Sequence, residues 1–399
     1  MKYRGLVIAD IHIGAVKPIE RAYDEIDKCF FKYIKTNGKE LDFIIICGDF
    51  FNNKRYLNDD VSKMAYKILY ELLSLCKRYS LKIRFVYGTE SHECNQYDIL
   101  ETFKDEFENF EVIRHVKEEE LFEDLHVLYI PEEHILDQEE YYKEYFDDSH
   151  TGYYDYIFGH GIIKEVMREA SANIETKKLT RKHVPVFKTA QLDRVTIGDV
   201  YFGHYHVHTN IEDKIFYVGS YSRWMFGEEE EKGFYDISCN PEKDKYERYF
   251  VENNMCEMYK TLHYGYSNKI FTDINLMEKE FNRIDKILSD GIIEHIRLSL
   301  NIPETADNPE FIINYLKERY RFVPNVKLDI VNGYVEKKKQ TSRTEIDRLL
   351  TQYDMILDKK VAIEDKISYF INMTYDKNKE LDSKKIKHYL DANLSDLLN

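Results

Sequence analysis

The sequence is short of several things, and each shortage excludes a class of protein. No apolar run is long: the first, Leu6 to Ala9, stops at Asp10, well below the roughly 20 residues of a membrane helix or the roughly 7–15 of a signal-peptide core. A soluble, cytoplasmic chain without a membrane partner is therefore expected. The six cysteines (Cys29, Cys47, Cys76, Cys94, Cys239, Cys256) include no C-x-x-C pair, so neither a disulfide framework nor a zinc ribbon is indicated and the expected compartment is reducing. Positive charge is deficient: 57 Lys and Arg against 73 Asp and Glu give a net charge of -16. That excludes a general polyanion binder and confines any nucleic-acid contact to local patches. Repeats and long low-complexity tracts are absent, and 399 residues allow more than one domain.

What is present in the first half is an alternation of short β-branched runs with longer stretches of helical spacing. Leu6 to Ile8, Phe43 to Ile46 and Ile83 to Val86 read as buried strands. The stretches 19–36 and 60–79 read as helices, the second with an apolar stripe of Ile68, Leu72, Leu75 and Tyr79. Further strands are expected at Leu125 to Ile130, Tyr154 to Phe158, Val200 to Phe202, Ile215 to Val218 and Phe234 to Ile237. The fold class that follows is α/β, a two-sheet sandwich flanked by helices, occupying residues 1–255.

Composition shifts near residue 255. A small α+β domain is expected over 256–338, with strands at Tyr259 to His263, Ile292 to Leu300 and Val326 to Val331 and helices at 273–289 and 308–320. Residues 339–399 carry no strand signal. Ile346, Leu349, Leu350, Tyr353 and Ile356 begin a series of amphipathic helical stripes there, suited either to packing on the chain's own core or to docking a partner.

Five short segments carry the chemistry: Asp10-Ile11-His12, Gly48-Asp49, Ser91-His92-Glu93, Gly159-His160 and Gly203-His204-Tyr205-His206. Each sets oxygen or imidazole donors where an apolar run ends, the place where open α/β sheets build their sites. Carboxylates suit hard cations and imidazole suits first-row metals, so the mixed set points to a pair of Mn²⁺-like ions and a phosphoesterase rather than to structural zinc. Two such ions need one short shared ligand. Asp49 is the candidate, because a carboxylate can bridge and Gly48 allows a tight turn before it. A lone histidine or D-x-H would mean little; the conjunction carries the inference.

The order and spacing resemble the calcineurin-like metallophosphoesterase superfamily, and within it the SbcD-type nuclease subunits of double-strand-break repair complexes, whose signature is D-x-H, GD, GNH, GH and GHxH. The resemblance implies the metallophosphoesterase sandwich with a cap domain, and two Mn²⁺ ions with Mg²⁺ as the alternative. It places Asp10, His12 and His206 on one ion, and His160 and His204 on the other. His92 is then the group that supports leaving-group departure, with Glu93 orienting it from behind. The third element departs from the pattern: Gly88-Thr89-Glu90-Ser91-His92-Glu93 stands where the family has Gly-Asn-His and an acid. Either Ser91 or Glu90 then replaces the amide ligand. A hydroxyl is the poorer donor, so a loosely held second ion and a need for high Mn²⁺ follow.

A second string, Val218-Gly219-Ser220-Tyr221-Ser222-Arg223 with Phe226-Gly227-Glu228 and Glu231-Lys232-Gly233-Phe234, looks like a segment of the SbcD-type nucleases. It makes Gly219, Ser220 and Arg223 candidate phosphate contacts, or else a hairpin edge. The acidic run Glu228 to Glu231 reads as a solvated loop. Lys54, Arg55, Arg168, Lys177, Lys178, Arg181, Lys182 and Lys188 form a basic strip suited to tracking a DNA backbone, or simply a solvated face. By resemblance the chain is expected to be a 3′-to-5′ exonuclease and single-strand endonuclease in DNA repair or recombination. Its partners would be DNA, an SbcC-like coiled-coil ATPase docked on the C-terminal helices, and a second copy in a homodimer, with helix 60–79 as one candidate face. The competing expectations are a small-molecule phosphodiesterase or phosphatase, and a non-catalytic scaffold for a repair ATPase.

Overall fold

Runs such as Phe43-Ile44-Ile45-Ile46-Cys47, apolar at every position and wholly buried, suit parallel strands covered on both faces. The computed structural model describes residues 1–54, 59–166, 184–264, 274–291, 293–301 and 309–331. The helical segment expected at 339–399 lies outside the described residues, as do Arg55, Arg168, Lys177, Lys178, Arg181 and Lys182.

Four strands, β1 (Tyr3–Ile8), β2 (Phe43–Cys47), β3 (Lys82–Val86) and β4 (Phe110–Ile113), run parallel and in that order. The helix Asp60–Tyr79 returns the chain from β2 to β3. It starts where the Asp59 side chain accepts from the Val61 N–H and stops at Ser80 in a left-handed conformation. The stretch expected as one helix over 19–36 is helical but contains a wide π turn, Ile26–Phe31, between Ile19–Glu25 and Lys32–Asn37.

The second sheet opens with the antiparallel pair β5 (Lys117–Phe122) and β6 (Leu125–Ile130). It continues in β7 (Tyr154–His160), after which β8 (Ile162–Ile163) and β9 (Val186–Phe187) form a short parallel pair of their own. With β10 (Thr196–Gly203), β11 (Thr209–Glu212) and β12 (Ile215–Tyr217) the order is β11-β12-β10-β7-β6-β5. Then β13 (Gly233–Asn240) and β14 (Lys245–Glu252) return to the first sheet as an antiparallel edge beside β1.

Side-chain alternation assigns the layers. Val7 and Ala9 pack with Val127, Tyr129, Tyr156, Phe158 and Tyr201 between the sheets, whereas Leu6 and Ile8 share a cluster with Phe30, Leu69 and Leu72 of the helices. On the far side Leu128, Ile157, Val200 and Phe202 pack with Phe146, Leu192 and Val195. The result is an α/β sandwich, helices outside two mixed sheets, with its parallel strands ending where the donors of the sequence lie.

The chain divides into two compact units, 1–261 with 286–296, and 262–285 with 297–399. In the second the described elements include the helices Ile274–Ser289 and Pro309–Arg319, and a sheet ordered β15 (Tyr259–Tyr264), β16 (His295–Asn301), β17 (Val326–Val331). Phe281, Leu298, Leu300 and Leu316 are among its buried residues, and Arg319 ties the two helices by reaching Asp285 and Asn282 at 2.5 Å each. The strand expected from Ile292 begins at His295. No helix among the described residues is long and apolar enough to cross a membrane.

Candidate metal centre

The tails of β1 and β2 keep pairing after the strands end. Asp10 N–H donates to the Gly48 carbonyl and His12 N–H to that of Asp49, at 3.1 and 3.0 Å. This holds Asp10 and Asp49 abreast. The backbone is bent sharply to do so: Asp10, His12, Asp49 and His204 all have φ between +47 and +92, a region L-residues other than glycine rarely adopt, and such strain concentrates at functional sites. Gly48 (φ +79) has no alternative, since a Cβ there would run into the His160 ring.

From these turns, and from the ends of β6, β7 and β10, side chains converge into groups whose ligand atoms lie within 4.8 Å of one another. Asp10, His12 and His206 form one such group, and Glu132, His160 and His204 another. Asp49 shares a third with His12 and His92 and a fourth with Asp10 and His160. Asp49 is central. Thr89 N–H donates to its Oδ1 at 2.7 Å, and its Oδ2 lies 3.6 Å from His12 Nε2 and 3.5 Å from His160 Nε2. Asp10 is held by the His204 N–H at 3.0 Å.

The imidazoles are aimed. The Cys47 carbonyl can only accept, so His160 Nδ1 donates to it at 2.9 Å, which turns Nε2 toward Asp49 and Glu132. His12 Nε2 and His206 Nε2 face each other at 3.1 Å, a spacing suited to two ligands of one ion. His160 Nε2 and His204 Nε2 are buried without a hydrogen-bond partner, which is costly unless something else engages them. Donor types, burial and these orphaned nitrogens together fit bound divalent metal.

The electrostatics agree. Burial alone would lower the His160 pKa, but Asp49, Asp10 and Glu132 hold it up at about 10. Burial likewise opposes ionisation of Asp49, yet His160, His12 and His92 carry its carboxyl well below the usual range. Burial raises Asp10 and depresses His12. Three buried carboxylates around these imidazoles form a field that attracts positive charge, whether proton or metal ion.

Several expected residues lie elsewhere or act differently. Ser91 is exposed. The Glu90 carboxylate accepts from Tyr87 Oη at 3.0 Å. The residue at the end of β3 that reaches Asp49 is Thr89, directly after Gly88, and the acid completing the His160–His204 group is Glu132, which the sequence reading missed. Its signal was positional: Ile130-Pro131-Glu132 ends an apolar run, as the other donor segments do. His92 sits at the edge of the centre, its ring 4.8 Å from that of His12 and its Nδ1 donating to the Asn52 carbonyl. Glu93 does not orient it. That carboxylate is wholly buried and accepts from the Phe50 N–H at 3.0 Å.

The candidate phosphate contacts turn inward. Ser220 is fully buried and its N–H donates to the His206 carbonyl at 3.0 Å. Arg223 is 3% exposed and donates to the Glu230 carbonyl and to Cys256 Sγ. Gly219 (φ +78) makes the turn between them and the end of β12. Lys232, also fully buried, donates to the same His206 carbonyl at 2.8 Å. The string therefore supports His206. Glu228, expected as part of a solvated loop, is buried, with Oε1 3.6 Å from His206 Nδ1 and Oε2 accepting from the Trp224 and Met225 N–H groups. Trp224, the chain's one tryptophan, sets its ring edge-on to both His12 and His206 at 5.1 Å.

No protein-family model and no curated protein matches this chain. Among solved structures, one chain described without a protein name aligns at 13% identity over 63% of this chain and 99% of its own length, with a TM-score of 0.34, a likeness too slight to argue from.

Proposed function

We propose that this chain is a phosphodiesterase of the calcineurin-like metallophosphoesterase kind, holding two Mn²⁺ ions or their Mg²⁺ equivalents and acting on DNA as an SbcD-type nuclease subunit beside an SbcC-like ATPase. The observation that carries the phosphoesterase reading is the position of Asp49 Oδ2, about equally far from an imidazole of each histidine group. That is where a shared ligand belongs. Asp10, His12 and His206 would hold one ion and His160, His204 and Glu132 the other; bound there, such ions supply Lewis acidity and an activated water.

The protein's own residues do the rest. Thr89 fixes Asp49 from both sides, its N–H donating to Oδ1 and its hydroxyl lying 3.3 Å from Oδ2. Asn52 fixes the His92 tautomer with Nε2 free, so that in its protonated form His92 can give a proton to a leaving oxygen at the edge of the centre. Ser220 and Lys232 grip the His206 carbonyl and keep that ring on His12.

The DNA reading rests on the order of the motifs and on the exposed Lys54 and Lys188. A second reading, a small phosphodiester as substrate, is favoured by the inward turn of Ser220 and Arg223, which removes two expected DNA contacts. The deciding experiment incubates the purified chain with labelled linear duplex DNA and with bis(p-nitrophenyl) phosphate, under Mn²⁺, Mg²⁺ or chelator, with and without a candidate ATPase. Degradation of the DNA supports the nuclease; cleavage of the small ester alone, even with the ATPase present, refutes it.

A further inference from the structure

At the corner of the site where the sequence offers Ser91 or Glu90, the structure brings Glu132 beside His160 and His204. We infer that Glu132 is a direct ligand of the second ion, so that each ion has a carboxylate of its own besides the shared Asp49. This deepens the metallophosphoesterase reading and rests on it.

Glu132 stands two residues past the end of β6, and its N–H donates to the Tyr87 carbonyl at 3.0 Å, which fixes it against the end of β3. Its side chain is 1% exposed. Oε2 lies 3.0 Å from His204 Nδ1 and 3.6 Å from His160 Nε2, and Thr89 Oγ1 donates to it at 3.0 Å. Among the described residues no lysine or arginine pairs with it. A buried carboxylate whose partners are a hydroxyl and one imidazole is expensive unless a cation also occupies the space it faces. That space is also faced by His160 Nε2, buried and without a hydrogen-bond partner.

The consequence is a change of charge. A neutral amide or hydroxyl at this corner would leave two carboxylates, Asp10 and Asp49, to offset two divalent ions. With Glu132 there are three. The second ion is then held more tightly than a serine corner would allow, reversing the weak second site that Ser91 implied, and oxygen-seeking ions such as Mn²⁺ and Mg²⁺ are favoured at it.

The test is Mn²⁺ binding by equilibrium dialysis to the full chain and to Glu132→Gln, which keeps size and removes charge. The unsubstituted chain should bind two ions. Glu132→Gln should keep one and weaken the other more than about 100-fold, beyond the 10–100-fold usual when only a ligand's hydrogen-bonding partner is lost. Trp224 beside His12 and His206 supplies a check on folding and on the first subsite, since paramagnetic Mn²⁺ there should quench its fluorescence equally in both proteins. Two ions bound by Glu132→Gln at unchanged affinity would overturn the assignment while leaving the metal-pair reading intact. Loss of both ions together would overturn the assignment to one subsite. An unsubstituted chain that binds no ion would bring down the metallophosphoesterase reading itself.

Discussion

Replacing Arg223 by alanine separates two uses of one side chain. A phosphate contact would be spent at the surface, and its loss would leave the fold intact. The structure instead buries the guanidinium, with Nε 3.1 Å from the Glu230 carbonyl, Nη2 on the same oxygen and Nη1 3.0 Å from Cys256 Sγ. Its own carbonyl accepts from Arg21 Nη2 at 3.2 Å. Hydrogen bonds to charged groups contribute about 1.5–3 kcal/mol each, and removing one partner of a buried charged network costs about 3–5 kcal/mol. At about 2–4 °C per kcal/mol for domains of roughly this size, Arg223→Ala should melt about 6–20 °C lower by scanning calorimetry. Arg223→Lys should recover little, because one ammonium cannot span both acceptors. The same preparations, titrated with DNA over a range of salt, should keep the slope of log affinity against log salt. A variant with unchanged melting whose slope fell by about 0.9, the signature of one lost phosphate contact, would refute the inward-facing assignment.

Three other perturbations probe the centre. His92→Ala should bind Mn²⁺ as the unsubstituted chain does but lose about 10²–10⁴-fold in hydrolysis, the range expected for a proton donor; equal loss of binding and turnover would remove that role. Gly48→Ala sets a Cβ into the His160 ring at φ +79, so it should weaken Mn²⁺ binding and destabilise by at least about 1 kcal/mol in denaturant titration, with wild-type behaviour as the contrary result. His160, held up at about 10 by its carboxylate neighbours, carries a proton near neutrality that the ion must displace. Mn²⁺ affinity should therefore rise between about pH 6 and pH 8, with proton release seen by titration calorimetry in buffers of different ionisation enthalpy; a flat profile would contradict it.

How far the sequence disclosed this architecture depended on burial. The central strands β1, β2, β3, β6, β7 and β10 are apolar runs, and each was expected within a few residues of where it lies. The strands that escaped notice are β4, β5, β8, β9, β11 and β14. Lys117-Glu118-Glu119-Glu120-Leu121-Phe122 and Lys245 to Glu252 present mostly polar or exposed side chains, so their alternation gives little signal. The π turn at Ile26–Phe31 leaves no mark in a pattern of period 3.6. In the site, the donors matching a motif at a strand end are the ones brought together. The missed residue, Glu132, belongs to no motif and sits in an acidic stretch most of whose members are exposed. Ser91 drew attention through its neighbour His92, although the turn of chain after β3 puts Thr89, not Ser91, against Asp49. Arg223 misled for a different reason: charge was read as exposure, and in this fold a guanidinium serves as a buried brace.

The measurement that tests the central claim most directly is the rate of bis(p-nitrophenyl) phosphate hydrolysis along a Mn²⁺ titration, for the unsubstituted chain and for Asp49→Asn. The account predicts a rate that rises with Mn²⁺, vanishes with chelator, and falls at least about 100-fold in Asp49→Asn at saturating metal. Hydrolysis indifferent to metal, or an Asp49→Asn variant as fast as the unsubstituted chain, would contradict it.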